Sequence, residues 1–241
     1  GLIYRGGAFE SFNKSDTSVK INITNEGKNT VIEQLGLKTE IDLRKDKDSN
    51  PIPENCGLET SSVAGIELHQ LPMVYGGNNI LTYKNDNFDN PARIKDYFEL
   101  ISNKNNLPTY IHCAEGKDRT GCLCYLTEAL CGESEEFLYR DYLFSNFANV
   151  LYGMRPDGID GQYGKTLKNY KTSQEETMAS VTYRYLNEVI GLSKETLPTK
   201  TATFPKESVL YSTRPFLTSS TAFLVSNVTV PVLGFGIKPL G

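Results

Sequence analysis

The chain has 241 residues, a net charge of −4 at pH 7 and a pI near 5.4, with 39% hydrophobic and 22% charged residues. This is the composition of an ordinary soluble domain, and it excludes a generally basic face for nucleic acid or anionic membrane; any attraction for phosphate must be local. No apolar run approaches the ~20 residues of a membrane-spanning helix and no signal peptide is visible, so neither a transmembrane segment nor a leader is read from the chain.

Taken in order, residues 29–36 read as a short helix with a capping box from Thr30 to Glu33 and a stop at Gly36. Residues 39–43 alternate as a strand, followed by a charged loop (44–48) and a turn marked by Pro51 and Pro53. Arg44 either orients the sheet edge or is solvated. A second strand (66–71) ends at Pro72. Residues 73–88, rich in Gly, Asn and Asp, have no periodicity, and a loop of that length in a compact domain is usually functional or mobile. Asp89-Asn90-Pro91 opens a helix carrying Ile94, Tyr97, Phe98 and Ile101 on one side.

Residues 107–111 read as a buried strand, and 120–131 as a helix with Leu123, Leu126, Ala129 and Leu130 at helical spacing and Gly132 as its cap. Ser134 caps a helix over 135–147, residues 149–170 are irregular, and Thr172 or Ser173 caps a long helix through Ile190. Strands alternating with helices imply an α/β fold: a central, mostly parallel sheet flanked by helices, with ligands at the carboxyl ends of the strands. From Thr196 the chain turns to strand-like runs at 208–211, 222–226 and 228–232. The expected organisation is therefore one catalytic domain over 1–195 and a β-rich C-terminal extension over 196–241.

Between the strand ending at Ile111 and the helix from Thr120 lies His112-Cys113-Ala114-Glu115-Gly116-Lys117-Asp118-Arg119-Thr120-Gly121. Amides at a helix N-terminus lack internal partners and carry the positive end of the dipole, so this loop is an anion cradle. A cysteine there becomes a thiolate at neutral pH, held by loop amides and the Thr120 hydroxyl. Arg119 offers a planar fork for two phosphate oxygens, Lys117 a point charge, and Gly116 a close backbone approach. Together these suit attack by a thiolate on phosphorus, with a phosphate or sulfate ion as the simplest occupant.

The string His-Cys-x5-Arg-Thr-Gly resembles the signature of cysteine-dependent phosphatases of the protein tyrosine phosphatase superfamily. Its Gly-Lys-Asp-Arg core is most similar to the bacterial-type tyrosine phosphatases, some of which accept phosphoinositides. Three further segments agree: Gly-Leu-Ile-Tyr-Arg-Gly-Gly-Ala at 1–8 with the family's LYRSGAL, Leu-Gly-Leu-Lys-Thr-Glu-Ile-Asp-Leu-Arg at 35–44 with LGIKTVIDLR, and Asp-Tyr-Leu-Phe-Ser-Asn at 141–146 with DYLLSN. The closing helix at 185–192 is similar as well. The chain opens inside a segment the family places after an earlier strand. A truncated or processed start is therefore expected, which leaves cytoplasmic and secreted locations both open.

The resemblance implies phosphate monoester hydrolysis through a phosphocysteine on Cys113, with Arg119 binding the transferred group and no cofactor. The loop residues Ala114, Glu115, Gly116, Lys117 and Thr120 would contact substrate, and His112 would shape the loop by hydrogen bonding rather than act as a base. A general acid is required; Asp118 ranks first and Asp86, on the long loop, second. Phosphorylated protein on tyrosine is the favoured substrate, with Tyr75, Tyr83 or Phe88 as candidate slot walls and packing residues as the plainer reading. Phosphoinositide is the runner-up. A non-catalytic phosphate-binding module and a rhodanese-like sulfurtransferase are the other classes, the latter opposed by Arg119-Thr120-Gly121.

The five cysteines (56, 113, 122, 124 and 131) have no disulfide spacing. Cys122, Cys124 and Cys131 read as small buried apolar residues, and with only two histidines, His69 and His112, no structural zinc site is expected.

Overall fold

The computed structural model describes residues 2–13, 18–45, 56–74, 80–144 and 167–197, and the backbone of three short strands beyond them. The elements begin with β1 (Leu2–Gly6), β2 (Glu10–Phe12), β3 (Val19–Ile21), α1 (Asn25–Asn29), β4 (Thr39–Asp42) and β5 (Glu67–Gln70). They continue with α2 (Asn90–Ser102), β6 (Thr109–His112), α3 (Asp118–Leu130), α4 (Glu135–Phe144) and α5 (Met178–Arg184). The short strands are β7 (Phe216–Leu217), β8 (Ala222–Phe223) and β9 (Asn227–Thr229).

The central sheet has the order β5-β4-β6-β1-β9; the first four strands are parallel and β9 runs antiparallel on β1. β2 and β3 form a separate hairpin, as do β7 and β8. Parallel register puts Gln70, Asp42, His112 and Gly6 in one row across the carboxyl ends. Two residues back, Leu68, Glu40, Tyr110 and Tyr4 form a row on the same face, because side chains alternate along a strand.

The two faces carry different cores. One packs Ile3, Ile41 and Ile111 against α2, α3, α4 and α5; the other packs Tyr4 and Tyr110 against Phe9, Ile23, Val31 and Leu37 around α1. Helix α3 lies at the centre of the larger layer, and every residue from Arg119 to Leu130 is buried. A helix apolar or small all round belongs inside, and this one brings its N-terminus to the sheet's carboxyl edge.

The parallel sheet, the strand–loop–helix around Cys113 and the helix opened by Asp89 match expectation. The Asp89 carboxylate accepts from the Ala92 N–H at 3.1 Å, and Gly132 (φ 89) ends α3. Other boundaries differ. Helix α1 begins at Asn25, capped by the Thr24 hydroxyl on the Gly27 N–H (3.0 Å), and widens to a π-type turn over Thr30–Gln34. Thr30 is therefore within the helix rather than its cap, its hydroxyl donating to the Glu26 carbonyl at 3.0 Å. Helix α5 likewise begins at Met178, capped by Thr177, not at Thr172 or Ser173. Thr172 donates its N–H (2.7 Å) and hydroxyl (3.0 Å) to the Glu176 carboxylate instead, which closes a local turn before the helix.

Strand β1, between β6 and β9 in the sheet, and the β2–β3 hairpin were not read from the sequence. The end of the helix expected over 135–147, most of the irregular stretch 149–170, Tyr75 and nearly all of 196–241 lie outside the described residues. Of the runs expected in the extension, part of 222–226 is β8, and the start of 228–232 falls in β9. Leu126, fully buried between the helices and the sheet, is a test of the core: Leu126→Ala should lower stability by about 2–5 kcal/mol. A lower urea midpoint with an unchanged slope would report it.

Candidate active site

The site forms where β6 runs out. His112 is the last strand residue, residues 113–117 make the loop, and Asp118 opens α3. Cys113, Lys117, Arg119 and Thr120 are buried, Ala114 and Asp118 are half-buried, and Glu115 is exposed.

A loop that presents N–H groups to an anion must turn its carbonyls the other way, since the C=O and the following N–H of a trans peptide point oppositely. Three ties do this. The Cys113 carbonyl lies 3.1 Å from His112 Nδ1, the Ala114 carbonyl accepts from the Ala8 N–H at 3.2 Å, and the Gly116 carbonyl accepts from Arg5 Nη2 at 2.8 Å. The N–H groups of Ala114, Glu115 and Lys117 are thereby turned inward. Gly116 holds φ 70, and a Cβ on it would overlap the Gly6 carbonyl, so only glycine fits here. Tyr110 supports the opposing strand end, its hydroxyl donating to the Gly7 carbonyl at 2.7 Å.

Burial acts to raise the Cys113 pKa, but the Arg119 charge, the Thr120 hydroxyl, and the Thr120 and Glu115 N–H groups outweigh it, and the thiol is more acidic than usual. The Thr120 hydroxyl is buried and has no hydrogen-bond partner among the described residues. Arg119 is steadied from the sheet edge: Nη1 donates to the Leu43 carbonyl at 3.3 Å and the Met73 carbonyl at 3.4 Å, the residues that follow β4 and β5. The other thiols are different in kind. Burial raises Cys122 and Cys124, and pushes Cys131 up to about 12.

Beneath the loop lies a row of buried charge. His112 Nε2 is 2.7 Å from Glu40 Oε1, and Nδ1 is 3.7 Å from Asp42 Oδ1 as well as close to the Cys113 carbonyl. Two acceptors flank the ring, so both nitrogens must carry protons to satisfy them. Burial would pull the imidazole pKa down, but Asp42 and Glu40 outweigh it and push it up to about 9, against opposition from Arg44. Arg44 is buried, not solvated: it pairs with Glu10 and, at 2.7 Å, with Asp42. Phe9 and Tyr110 cover the ring at 6.0 Å and 5.6 Å between centroids.

The two acid candidates are placed differently. Asp118 has Oδ1 buried with no hydrogen-bond partner among the described residues. Asp86 is exposed on a turn closed by Asn85, whose N–H donates to the Phe88 carbonyl at 2.7 Å. That loop is stapled by Asn90, which donates to the carbonyls of Val74 and Ile80, both at 2.8 Å. Phe88 stacks under Lys45 Nζ at 4.5 Å, while the Tyr83 hydroxyl accepts from Asn85. Glu40, Glu10, Arg5 and Asp141 were missed in the sequence. Glu40 and Asp42 stood in the sequence only as positions of an alternating strand, and nothing local links Arg5 to a loop 111 residues away.

Two outcomes are expected. The His112 pKa of about 9 lies above its ordinary 6.5, so the ion pairs stabilise fully below about pH 6.5 and are lost as pH rises through about 9. Denaturation across that window should show falling stability, and His112→Asn should flatten the slope. Iodoacetamide near neutral pH should alkylate Cys113 ahead of the other four thiols, as read by peptide mass mapping.

The profile of the tyrosine phosphatase family matches residues 2–203. Among solved structures, the core catalytic domain of the PP-IP phosphatase SIW14 from S. cerevisiae is 23% identical, with 60% of this chain and 71% of that chain covered and a TM-score of 0.39. TpbA from P. aeruginosa is 15% identical, with 70% and 86% covered and a TM-score of 0.38. No curated protein sequence matches this chain. With its Cys-x5-Arg loop in place at the carboxyl edge of the sheet and the profile spanning nearly the whole described chain, the protein belongs to the tyrosine phosphatase family of cysteine-based phosphoric monoester hydrolases.

Proposed function

We propose that this phosphatase removes phosphate from phosphotyrosyl protein, with Cys113 as nucleophile. The observation that supports the mechanism is the placement of Cys113 between the strand end and α3, in a loop whose carbonyls are tied outward, where Arg119, the Thr120 hydroxyl and loop N–H groups lower its pKa. The sulfur attacks phosphorus as the ester P–O bond breaks, and the leaving oxygen takes a proton from a carboxylic acid. Water then attacks the phosphocysteine and returns its proton to the carboxylate, releasing inorganic phosphate and the thiolate. Arg119 and the loop amides carry the charge on the equatorial oxygens, where most of the catalysis of phosphoryl transfer is achieved.

Asp118 is the favoured acid because its buried Oδ1, without a hydrogen-bond partner among the described residues, sits in the first turn of α3 next to Arg119, whereas Asp86 would have to approach from an exposed turn. A single aromatic phosphate suits the surroundings better than a polyphosphate. Glu115 puts a negative charge on the exposed rim, Lys117 is buried, Lys84 is paired with Asp89 at 2.9 Å, and Lys45 is engaged on Phe88.

The test is metal-free hydrolysis of p-nitrophenyl phosphate under reducing conditions. Cys113→Ser should abolish turnover, and vanadate should block the wild type. Asp118→Asn should lower kcat by about 10²–10³ and remove the alkaline limb of its pH profile; if Asp86→Asn does this instead, the acid is on the long loop. Phosphotyrosyl peptides should then be turned over faster than phosphoinositide vesicles. The reverse order would reassign the substrate to inositol lipids.

A further inference from the structure

One buried ion pair lies behind the loop and outside the chemistry above. Arg5, on β1, donates from Nη1 to Asp141 on α4 and from Nη2 to the Gly116 carbonyl at 2.8 Å. Side chains of Arg5 and Asp141 are 6% and 4% exposed, and 136 residues separate them in sequence. The guanidinium fork alone can serve a carboxylate and a carbonyl at once; an ammonium has no such planar geometry.

We propose that Asp141 is a positioning residue of the phosphate site: through Arg5 it fixes the Gly116 carbonyl behind the loop and so aims the Lys117 N–H at the bound phosphate. This rests on the reading of residues 113–119 as the phosphate cradle. The peptide after Gly116 is the tie most in need of support, because Gly116 has a left-handed backbone and lies against the Gly6 and Gly7 backbone. Without Arg5 the carbonyl could rotate toward the anion, replacing an attractive dipole with a repulsive one. Asp141 keeps Arg5 in place by neutralising it where water cannot.

A third group faces the pair. Glu128 on α3 is buried, and neither of its carboxyl oxygens has a hydrogen-bond partner among the described residues. Burial, then the Asp141 charge, hold its pKa well above the carboxylate range, against the pull of Arg5. Of these two carboxyl groups, Asp141 is the one hydrogen-bonded to Arg5.

The experiment is titration of the full chain with inorganic phosphate, followed by amide NMR, with kcat on p-nitrophenyl phosphate and Tm measured separately. In the wild type the Lys117 amide should shift on phosphate binding, together with those of Ala114 and Glu115. Asp141→Asn should weaken phosphate binding about tenfold and lower kcat similarly, as expected when a donor is misaimed rather than deleted. Arg5→Lys, which keeps the charge and loses the fork, should do the same, while the isosteric Glu128→Gln should leave both unchanged.

A lower Tm with unaltered phosphate affinity and an unaltered Lys117 shift would make the pair merely structural and overturn the proposal. Should Asp141→Asn fail to fold, Arg5→Lys and the wild-type amide shifts still decide. Shifts at Ala114 and Glu115 but not at Lys117 would defeat the strut alone. No shift anywhere in 113–120 would defeat the cradle with it.

Discussion

A loop that holds an anion with its backbone must keep its carbonyls turned away, and no residue inside the loop can do that. Here the ties come from outside it: His112 from the strand end, the Ala8 N–H from the chain after β1, and Arg5 from within β1. The rest of the architecture serves these ties. Parallel pairing of β6 with β1 brings Gly6 level with His112. It also lets the Gly6–Gly7 backbone press against Gly116, where any side chain would intrude. The proposed phosphate site is therefore as much a product of β1 as of the loop that carries Cys113.

The second constraint is electrostatic. A thiolate and a phosphate dianion need positive charge nearby, yet the chain as a whole is acidic. The solution is to bury cations individually and match each with carboxylates on its far side: Arg44 with Glu10 and Asp42, His112 with Glu40 and Asp42, Arg5 with Asp141. Such pairs gain little over apolar residues of the same size, since desolvation offsets most of the attraction, but removing the charge from one partner is costly. What two of them provide is fixed direction: Arg5, held by Asp141, donates to the Gly116 carbonyl, and His112, held by Glu40, lies against the Cys113 carbonyl. Arg119 is steadied from the sheet edge by the Leu43 and Met73 carbonyls.

The asymmetry of the two faces follows from the same demand. Helices α2, α3, α4 and α5 cover the apolar face, and burial of α3 on all sides fixes the direction of the helix end that meets the Cys113 loop. The other face carries only the small layer around α1, where Tyr110 stacks on Phe9 at 4.5 Å beside the Glu40–His112–Asp42 charges. Aromatic rings exclude water from the ion pairs there without competing for their hydrogen bonds.

The sequence by itself determined the family and the strand–loop–helix frame of the candidate site. Cys113, Gly116, Arg119 and Thr120 stand at local spacings that only a strand–loop–helix can exploit, and apolar periodicity announced α2, α3 and the strands around them. Local signals also misled where two caps competed, so that Thr24 and Thr177 displaced Thr30 and Thr172. What only the tertiary structure decided is the far side of each loop carbonyl. Arg5, Glu10, Glu40 and Asp141 look like ordinary polar residues along the chain, because alternation and helical spacing report which side is apolar, not which charges will be shut in together. Their roles arise from sheet register and helix packing across separations of up to 136 residues, and pairing at that range leaves no periodic trace in a single sequence.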